Sequence, residues 1–464
     1  MLPGRVIVLD VGKTLAKLSL WAADGRLIEQ RQRYNERVQS GQRLWLDAAG
    51  IERWARDVLA EFASLGPIAA IVPVAHGAAA AIVREGRLAC PIPDYEDTIE
   101  GELRAAYDRQ RDPFVRTGSP ALPNGLNLGV QLRRLEQEHA GLLSGDASIV
   151  PWPQYWAWRL CGVLASEVSS LGCHTDLWYP MEGRPSDLAR ARGWAARFAP
   201  LRRSDEVLGT LTAQWTQQTG LSSGVRVYCG AHDSNAALLA ARAFPQIAGR
   251  EATVVTTGTW FIAMRLPGRG PVLDLETLPR SRDCLVNVDV AGRPIPSARF
   301  MGGREVELLG GLDGPDPALD LGALAKVLAA GCMALPTWVA GVGPFPRSRG
   351  RWLAEPRDPF MRRAAAALYA ALVADASLEL VDAGECILIE GRFASAGIFV
   401  RALAALRPRA EIFLNHGSDG GVPYGALRLV DPALPPRGTL ERVIPLELDL
   451  AHYKRRWRQA LPPR

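Results

Sequence analysis

The chain has 464 residues, of which 48% are apolar and 22% charged, with a formal charge of +5. That length exceeds what one hydrophobic core usually supports, so two domains are expected. The positive charge is modest and scattered, with no long basic block interleaved with aromatics, which argues against nucleic acid as a partner and still suits an anionic nucleotide.

Val6-Ile-Val-Leu-Asp10-Val-Gly12-Lys13-Thr14 runs a buried strand into an acid, a glycine turn, a hydroxyl and a lysine, before apolar alternation resumes at Leu18 and Leu20. A hairpin of this kind can hold a phosphate chain: the glycine lets backbone N–H groups approach the oxyanions, and the strand-end carboxylate can hold a metal directly or through water. A plain surface hairpin has the same pattern. The Gly12-Lys13-Thr14 triplet is not a P-loop, because Ile7 stands where that motif needs a glycine. Residues 6 to 34 continue as strand, turn, strand and a third short strand, with Asp24-Gly25 at the second reversal.

Ile51, Trp54, Val58, Leu59 and Phe62 form one helical stripe, and a buried strand, Ile68 to Val74, then runs into Ala75-His76-Gly77. Strand, helix, strand in that order predicts an α/β layer with ligand contacts at strand ends, where His76 sits; a core or capping histidine would stand there equally well. An edge segment over 79–83 leads through Glu85-Gly86 to a proline-fixed loop carrying Asp94, Glu96 and Asp97, acids that suit sugar hydroxyls as well as solvent. Residues 101 to 145 read as helices broken by Pro120 and Pro123. Trp152, Tyr155, Trp156, Trp158 and Leu160 form an aromatic stripe of the core type. Glu167, Ser169, Ser170, His174, Thr175 and Asp176 crowd one polar stretch that fits either a polyhydroxylated ligand or a turn network. Helices are expected over 186–198 and 211–219, and the strand after Gly224 ends at Gly230. The domain boundary is placed just before that strand, giving domains 1–222 and 223–464.

Gly230-Ala-His232-Asp233-Ser234 then opens a helix-forming run, so Asp233 is an N-cap or a general base at a helix N-terminus. Ala252-Thr-Val-Val-Thr-Thr257-Gly258-Thr259-Trp260 repeats the first hairpin: buried strand, glycine at the reversal, hydroxyl, return strand from Phe261. Each half of the chain thus presents one anion-binding turn, which points to an internal duplication around a nucleotide.

Seven dispersed cysteines without a C-x-x-C read as reduced thiols of a cytoplasmic protein and argue against structural zinc. Asp10 and Lys13 interrupt any signal-peptide segment, and the apolar run 364–374 is too short to span a bilayer, so no membrane partner is expected.

These motifs together resemble the FGGY carbohydrate kinases. Asp10-Val-Gly12-Lys13-Thr14 with Lys17 is similar to that family's first phosphate motif, Gly230-Ala-His-Asp233-Ser to its catalytic-base motif, and Thr257-Gly258-Thr259-Trp260 to its second phosphate motif. Phe300-Met-Gly-Gly-Arg-Glu resembles a segment of several members, Ile387-Leu-Ile-Glu-Gly391-Arg-Phe-Ala-Ser the adenosine motif, and Asp419-Gly-Gly-Val-Pro-Tyr-Gly425-Ala426 the closing helix start. The family commonly has threonine or serine at the position of Lys13, a lysine that could reach the triphosphate or point to solvent.

The resemblance implies an α/β fold of two ribonuclease H-like domains of the actin and hexokinase type, with a nucleotide cleft between them. It implies transfer of the γ-phosphoryl group of ATP to a sugar hydroxyl, with Asp233 as base and Asp10 holding Mg²⁺. Gly12, Lys13, Thr14, Lys17, Thr257, Gly258, Thr259 and Gly391 are the implied nucleotide-binding residues. By likeness to deoxyketose kinases, His76, Gly77, His232, Ser234 and Asn287 are implied for the sugar, an L-rhamnulose- or L-fuculose-like ketose. A homodimer is admitted as the assembly. An ATPase or filament protein of the same superfamily would keep both hairpins without needing Asp233, and a sugar sensor would be expected to have lost Asp10, Asp233 or Gly258. No G-x-G-x-x-G follows a strand, so a dehydrogenase is remote.

Overall fold

The computed structural model describes residues 3–268, 273–310, 317–415 and 421–462. Asp419 and Gly420 of the closing glycine motif lie outside them. The chain divides into two compact units, one comprising Met1–Ala243, Val286–Pro294 and Gly420–Arg437, the other Phe244–Leu285, Ile295–Asp419 and Gly438–Arg464. The division falls after Ala243 where sequence placed a boundary near 222. Strand Arg226–Tyr228 explains the difference: it pairs in parallel with Ile68–Ala75 and so belongs to the first unit's sheet.

That sheet has the order Val207–Thr210, Arg226–Tyr228, Ile68–Ala75, Arg5–Val11, Leu15–Trp21, Leu27–Tyr34, with the short strand Ala231–His232 also on Ile68–Ala75. Strand side chains alternate between faces, and the central strands Arg5–Val11 and Ile68–Ala75 are buried on both. Ile7, Leu9 and Val11 enter one core with Ile51, Val58 and Phe62 of helix Ala48–Ser64, whose first turn is capped by Asp47 accepting from Gly50 N at 2.8 Å. Val6 and Val8 enter another, with Ala236 of helix Asp233–Ala241 and Tyr424 and Leu427 of helix Gly421–Val430. The two helices of that second layer approach closely, since a Cβ on Gly425 would lie 1.6 Å from the carbonyl oxygen of Ala236. The aromatic stripe on helix Trp152–Cys161 is core, as its spacing predicts. The helix expected over 186–198 is broken into Asp187–Ala191 and a single turn, Ala195–Arg197, by Gly193 at φ +74°.

The second unit's sheet runs Pro294–Phe300, Phe261–Leu266, Ala252–Thr257, Cys386–Gly391, Glu411–Asn415, Leu440–Arg442, with Cys284–Val288 as a further edge strand. In each sheet an antiparallel three-strand run is followed by two parallel strands and an antiparallel edge, so the duplication read from the two hairpins extends to the topology. Helix Pro359–Leu380 buries Ala364 to Leu378 without interruption in the core. A helix apolar on every side needs a core on every side, which accounts for the run 364–374. No helix among the described residues is long and apolar enough to cross a membrane.

Candidate active site

In the first unit three parallel strand ends converge. Asp10 and Ala231 both pair with Val74, one row before the ends of their strands, and His76 N donates to Val11 O at 3.1 Å. Asp10, His76 and the His232–Asp233 pair are therefore delivered together by backbone pairing alone, at the edge where α/β sheets bind ligands. Lys17 stands opposite Asp10 in the hairpin register. Burial first, then the charge of Asp233, pushes the Asp10 carboxyl up to about 7, while Lys17 pulls it back. Among the described residues the Asp10 carboxylate accepts no hydrogen bond and meets no cation at ion-pair distance.

Asp233 opens helix Asp233–Ala241 and remains partly exposed. Its Oδ1 accepts from Ser234 N at 2.5 Å and Ser234 Oγ at 3.2 Å, so Ser234 orients the carboxylate. His232 Nε2 lies 3.5 Å from the same oxygen and 3.4 Å from Cys173 Sγ, and that thiol donates to Asn287 Oδ1 at 3.0 Å. Burial lowers the pKa of His232 and of His76, so both imidazoles are neutral near pH 7. The His232 ring packs directly on the Gly77 backbone: a Cβ there would lie 2.9 Å from His232 Nε2. His76, Gly77, His232, Asp233, Ser234 and Asn287 thus form one cluster. Two further residues join it: Cys173, for which sequence offered no role, and Ser169, which sequence placed in a polar stretch without separating it from its neighbours. Ser169 Oγ accepts from His232 N at 3.2 Å and donates to buried Glu167 at 2.6 Å. Their only signal was the polar stretch 167–176, whose other end is a turn network: Asp176 accepts from Tyr107 OH at 3.0 Å, Arg111 at 2.9 Å and Asn127 at 2.7 Å.

Lys13 points toward the acids of the 91–97 loop. Its ammonium ion-pairs with Asp94, lies 3.7 Å from Glu96 and sits 5.1 Å from the centroid of the Tyr95 ring. Glu96 also pairs with Arg37 at 2.7 Å, and Asp97 with buried Arg134. The acids of the 91–97 loop are therefore engaged by basic side chains. A polar cavity of about 110 Å³, lined by Gly12, Lys13, Asn35, Asp47, His76 and Asp94 among others, lies beside this cluster.

In the second unit, Thr257 ends its strand opposite Gly391. Thr257 Oγ1 donates to Glu390 O at 2.7 Å and accepts from Phe393 N at 3.0 Å, which ties the hairpin to the segment after Gly391. Gly391 has φ +91°, and a Cβ on it would lie 2.3 Å from Thr257 O. Gly258 N donates to Trp260 O at 3.0 Å, closing the turn before the exposed Thr259. Helix Gly302–Leu309 starts against that turn, since a Cβ on Gly303 would lie 2.2 Å from Gly258 O. Thr257, Gly258 and Gly391 come together, with the Met301-Gly-Gly segment beside them. Glu390, a neighbour sequence did not single out, has its carboxyl pushed up to about 7 by desolvation.

Residues 249–437 match the family model described as the C-terminal domain of carbohydrate kinase FGGY. The structure superposes with a TM-score of 0.94 on the crystal structure of a carbohydrate kinase from Novosphingobium aromaticivorans, at 51% identity over 99% of this chain and 98% of that one. This chain belongs to the FGGY carbohydrate kinases. The kinase also shares its fold with xylulose kinase from Rhodospirillum rubrum (TM-score 0.78, 19% identity, 98% of this chain and 97% of that one). Gluconate kinase from Lactobacillus acidophilus is similar at TM-score 0.79 and 13% identity, over 98% and 96% of the two chains. No curated protein matches the chain. As a family member the kinase is an ATP-dependent phosphotransferase acting on a carbohydrate, with the two-domain actin and hexokinase type of fold.

Proposed function

We propose that the kinase transfers the γ-phosphoryl group of ATP to a hydroxyl of a ketose or deoxyketose, L-rhamnulose- or L-fuculose-like, with Asp233 as general base. The observation that carries this is the setting of Asp233. One carboxylate oxygen is fixed by Ser234 at a helix N-terminus, the side chain stays accessible, and neutral His76 and His232 flank it as hydrogen-bonding groups for a polyol. Phosphoryl transfer asks the protein mainly for positioning, charge neutralisation and removal of the acceptor proton. His76, Gly77, His232, Ser234 and Asn287 orient the acceptor so that its hydroxyl proton passes to Asp233 as the oxygen attacks phosphorus.

The donor set at Asp10 fits Mg²⁺. The carboxylate is buried, has no hydrogen-bond donor among the described residues and is raised by a neighbouring carboxylate, and a hard dication relieves both penalties. No group of three or more His, Cys, Asp or Glu residues among the described residues could hold a metal, which agrees with magnesium's habit of binding through one or two carboxylates, waters and substrate phosphates. Bound there, the ion would neutralise phosphate charge. Backbone N–H groups around Gly12 and Thr14, with Lys17, and the Thr257 to Thr259 turn hold phosphates; Gly391 admits the adenosine. Lys13 is left out of this set because its charge is already matched by Asp94 and Glu96.

The test offers the purified protein Mg·ATP and a panel of ketoses, aldoses and polyols while ADP release is followed. Release above background with a ketose is expected, and release independent of every sugar would overturn the reading. Asp233→Asn is expected to lower kcat by at least about a hundredfold, the usual worth of a general base, with nucleotide affinity retained.

A further inference from the structure

Lys13 projects from the turn of the first hairpin, yet among the described residues every partner of its ammonium belongs to the loop Asp94-Tyr95-Glu96. Tyr95 in turn meets the ring of His76 edge to face, with centroids 5.4 Å apart, and His76 also packs on Trp152 at 6.3 Å. Asp94 is only 2% exposed, and its second oxygen accepts from Glu96 N at 2.9 Å, so the loop is folded around the lysine's main partner. The hairpin is fastened on its other side by Asn35, whose amide donates to Gly12 O at 2.8 Å. The turn thus stays in place without Lys13, whereas the acidic loop has no other cation on Asp94 among the described residues.

We propose that Lys13 is a positioning residue for the acceptor sugar: it clamps the 94–96 loop against His76, and acceptor affinity depends on that clamp while nucleotide affinity does not. This rests on the assignment of His76 to the sugar site. Removing the ammonium leaves a buried carboxylate unpaired, and the loop must then move or admit water to solvate it. Tyr95 moves with its neighbours, and His76 loses one of its two aromatic contacts.

Steady-state kinetics with the acceptor that supports ADP release tests this in a double-mutant cycle. Lys13→Met and Asp94→Asn are each expected to raise the acceptor KM roughly tenfold, as coupled neighbours do, with the KM for ATP within about twofold of wild type. Lys13→Met combined with Asp94→Asn is expected to be no worse than the poorer single variant, because the buried unpaired charge is gone. Lys13→Arg, which can still pair both acids, is expected to stay close to wild type. A rise in the KM for ATP with unchanged acceptor KM, or single effects that multiply, would overturn the proposal. If Lys13→Met does not fold, Asp94→Asn and Lys13→Arg carry the same distinction. Wild-type protein with no sugar-dependent turnover would remove the functional reading itself, an outcome distinct from an active wild type whose Lys13 variant loses ATP.

Discussion

Asp10 and Asp233 place two carboxylates at neighbouring strand ends, and among the described residues only Asp233 has hydrogen-bond donors. An acid whose folded pKa lies above its ordinary value binds more protons folded than unfolded, so stability is full below about 4 and falls as pH rises toward 7. Asp10→Asn, melted in chelator, is therefore expected to match wild type near pH 4 and exceed it increasingly up to pH 8. The gain is at most about 4 kcal/mol, set by a carboxyl moved from 3.8 to about 7. An equal difference at both pH values would show that the charge is not the cause. The magnesium proposed at Asp10 would compete with that proton, so the acid limb of kcat/KM for Mg·ATP is expected near pH 7 and to shift lower as magnesium rises. Asp10, His76 and Asp233, the residues proposed to carry this chemistry, could be singled out in the sequence because they stand at ends of apolar runs. Cys173 carried no such signal and Ser169 only that of a polar stretch, since a buried thiol and a hydroxyl join the cluster through partners 59 and 63 positions away.

Hairpins and strand ends were read almost to the residue, since a period of two ending in Gly12 or Gly258 leaves little choice of register. The acidic loop was read from composition as suiting sugar hydroxyls or solvent, and composition shows Asp94, Glu96 and Asp97 but not that Lys13, Arg37 and Arg134 arrive to neutralise them. The 186–198 helix failed because Gly193 turns left-handed inside an otherwise helical pattern. Close backbone approach makes its own predictions. Gly391→Ala pushes a methyl group into Thr257 O and is expected to raise the KM for ATP about tenfold or more, with acceptor KM little changed. Gly425→Ala forces apart the helices Asp233–Ala241 and Gly421–Val430 and is expected to cost about 1–3 kcal/mol, read as a lower Tm.

Across the whole chain, the residues proposed for the acceptor, His76, Gly77, His232, Asp233 and Asn287, fall in one unit, and Thr257, Gly258 and Gly391, proposed for the nucleotide, in the other. Hydrogen exchange is expected to slow around 74–77 and 231–235 with sugar alone, and around 256–259 and 389–394 with ADP alone; protection in the reversed segments would contradict the assignment of sites. The division by contacts also differs from a cut at 222. A fragment ending there lacks Ala236, Tyr424 and Leu427, which cover Val6 and Val8, and is expected to be unfolded by circular dichroism. The order of synthesis gives that last helix a further meaning. Gly421–Val430 is translated some 180 residues after Ala243, a delay of about ten seconds or more at the ribosome. Throughout that interval the first sheet to emerge has one apolar face without its final cover, so nascent chains stalled before residue 421 are the species a chaperone would be expected to hold.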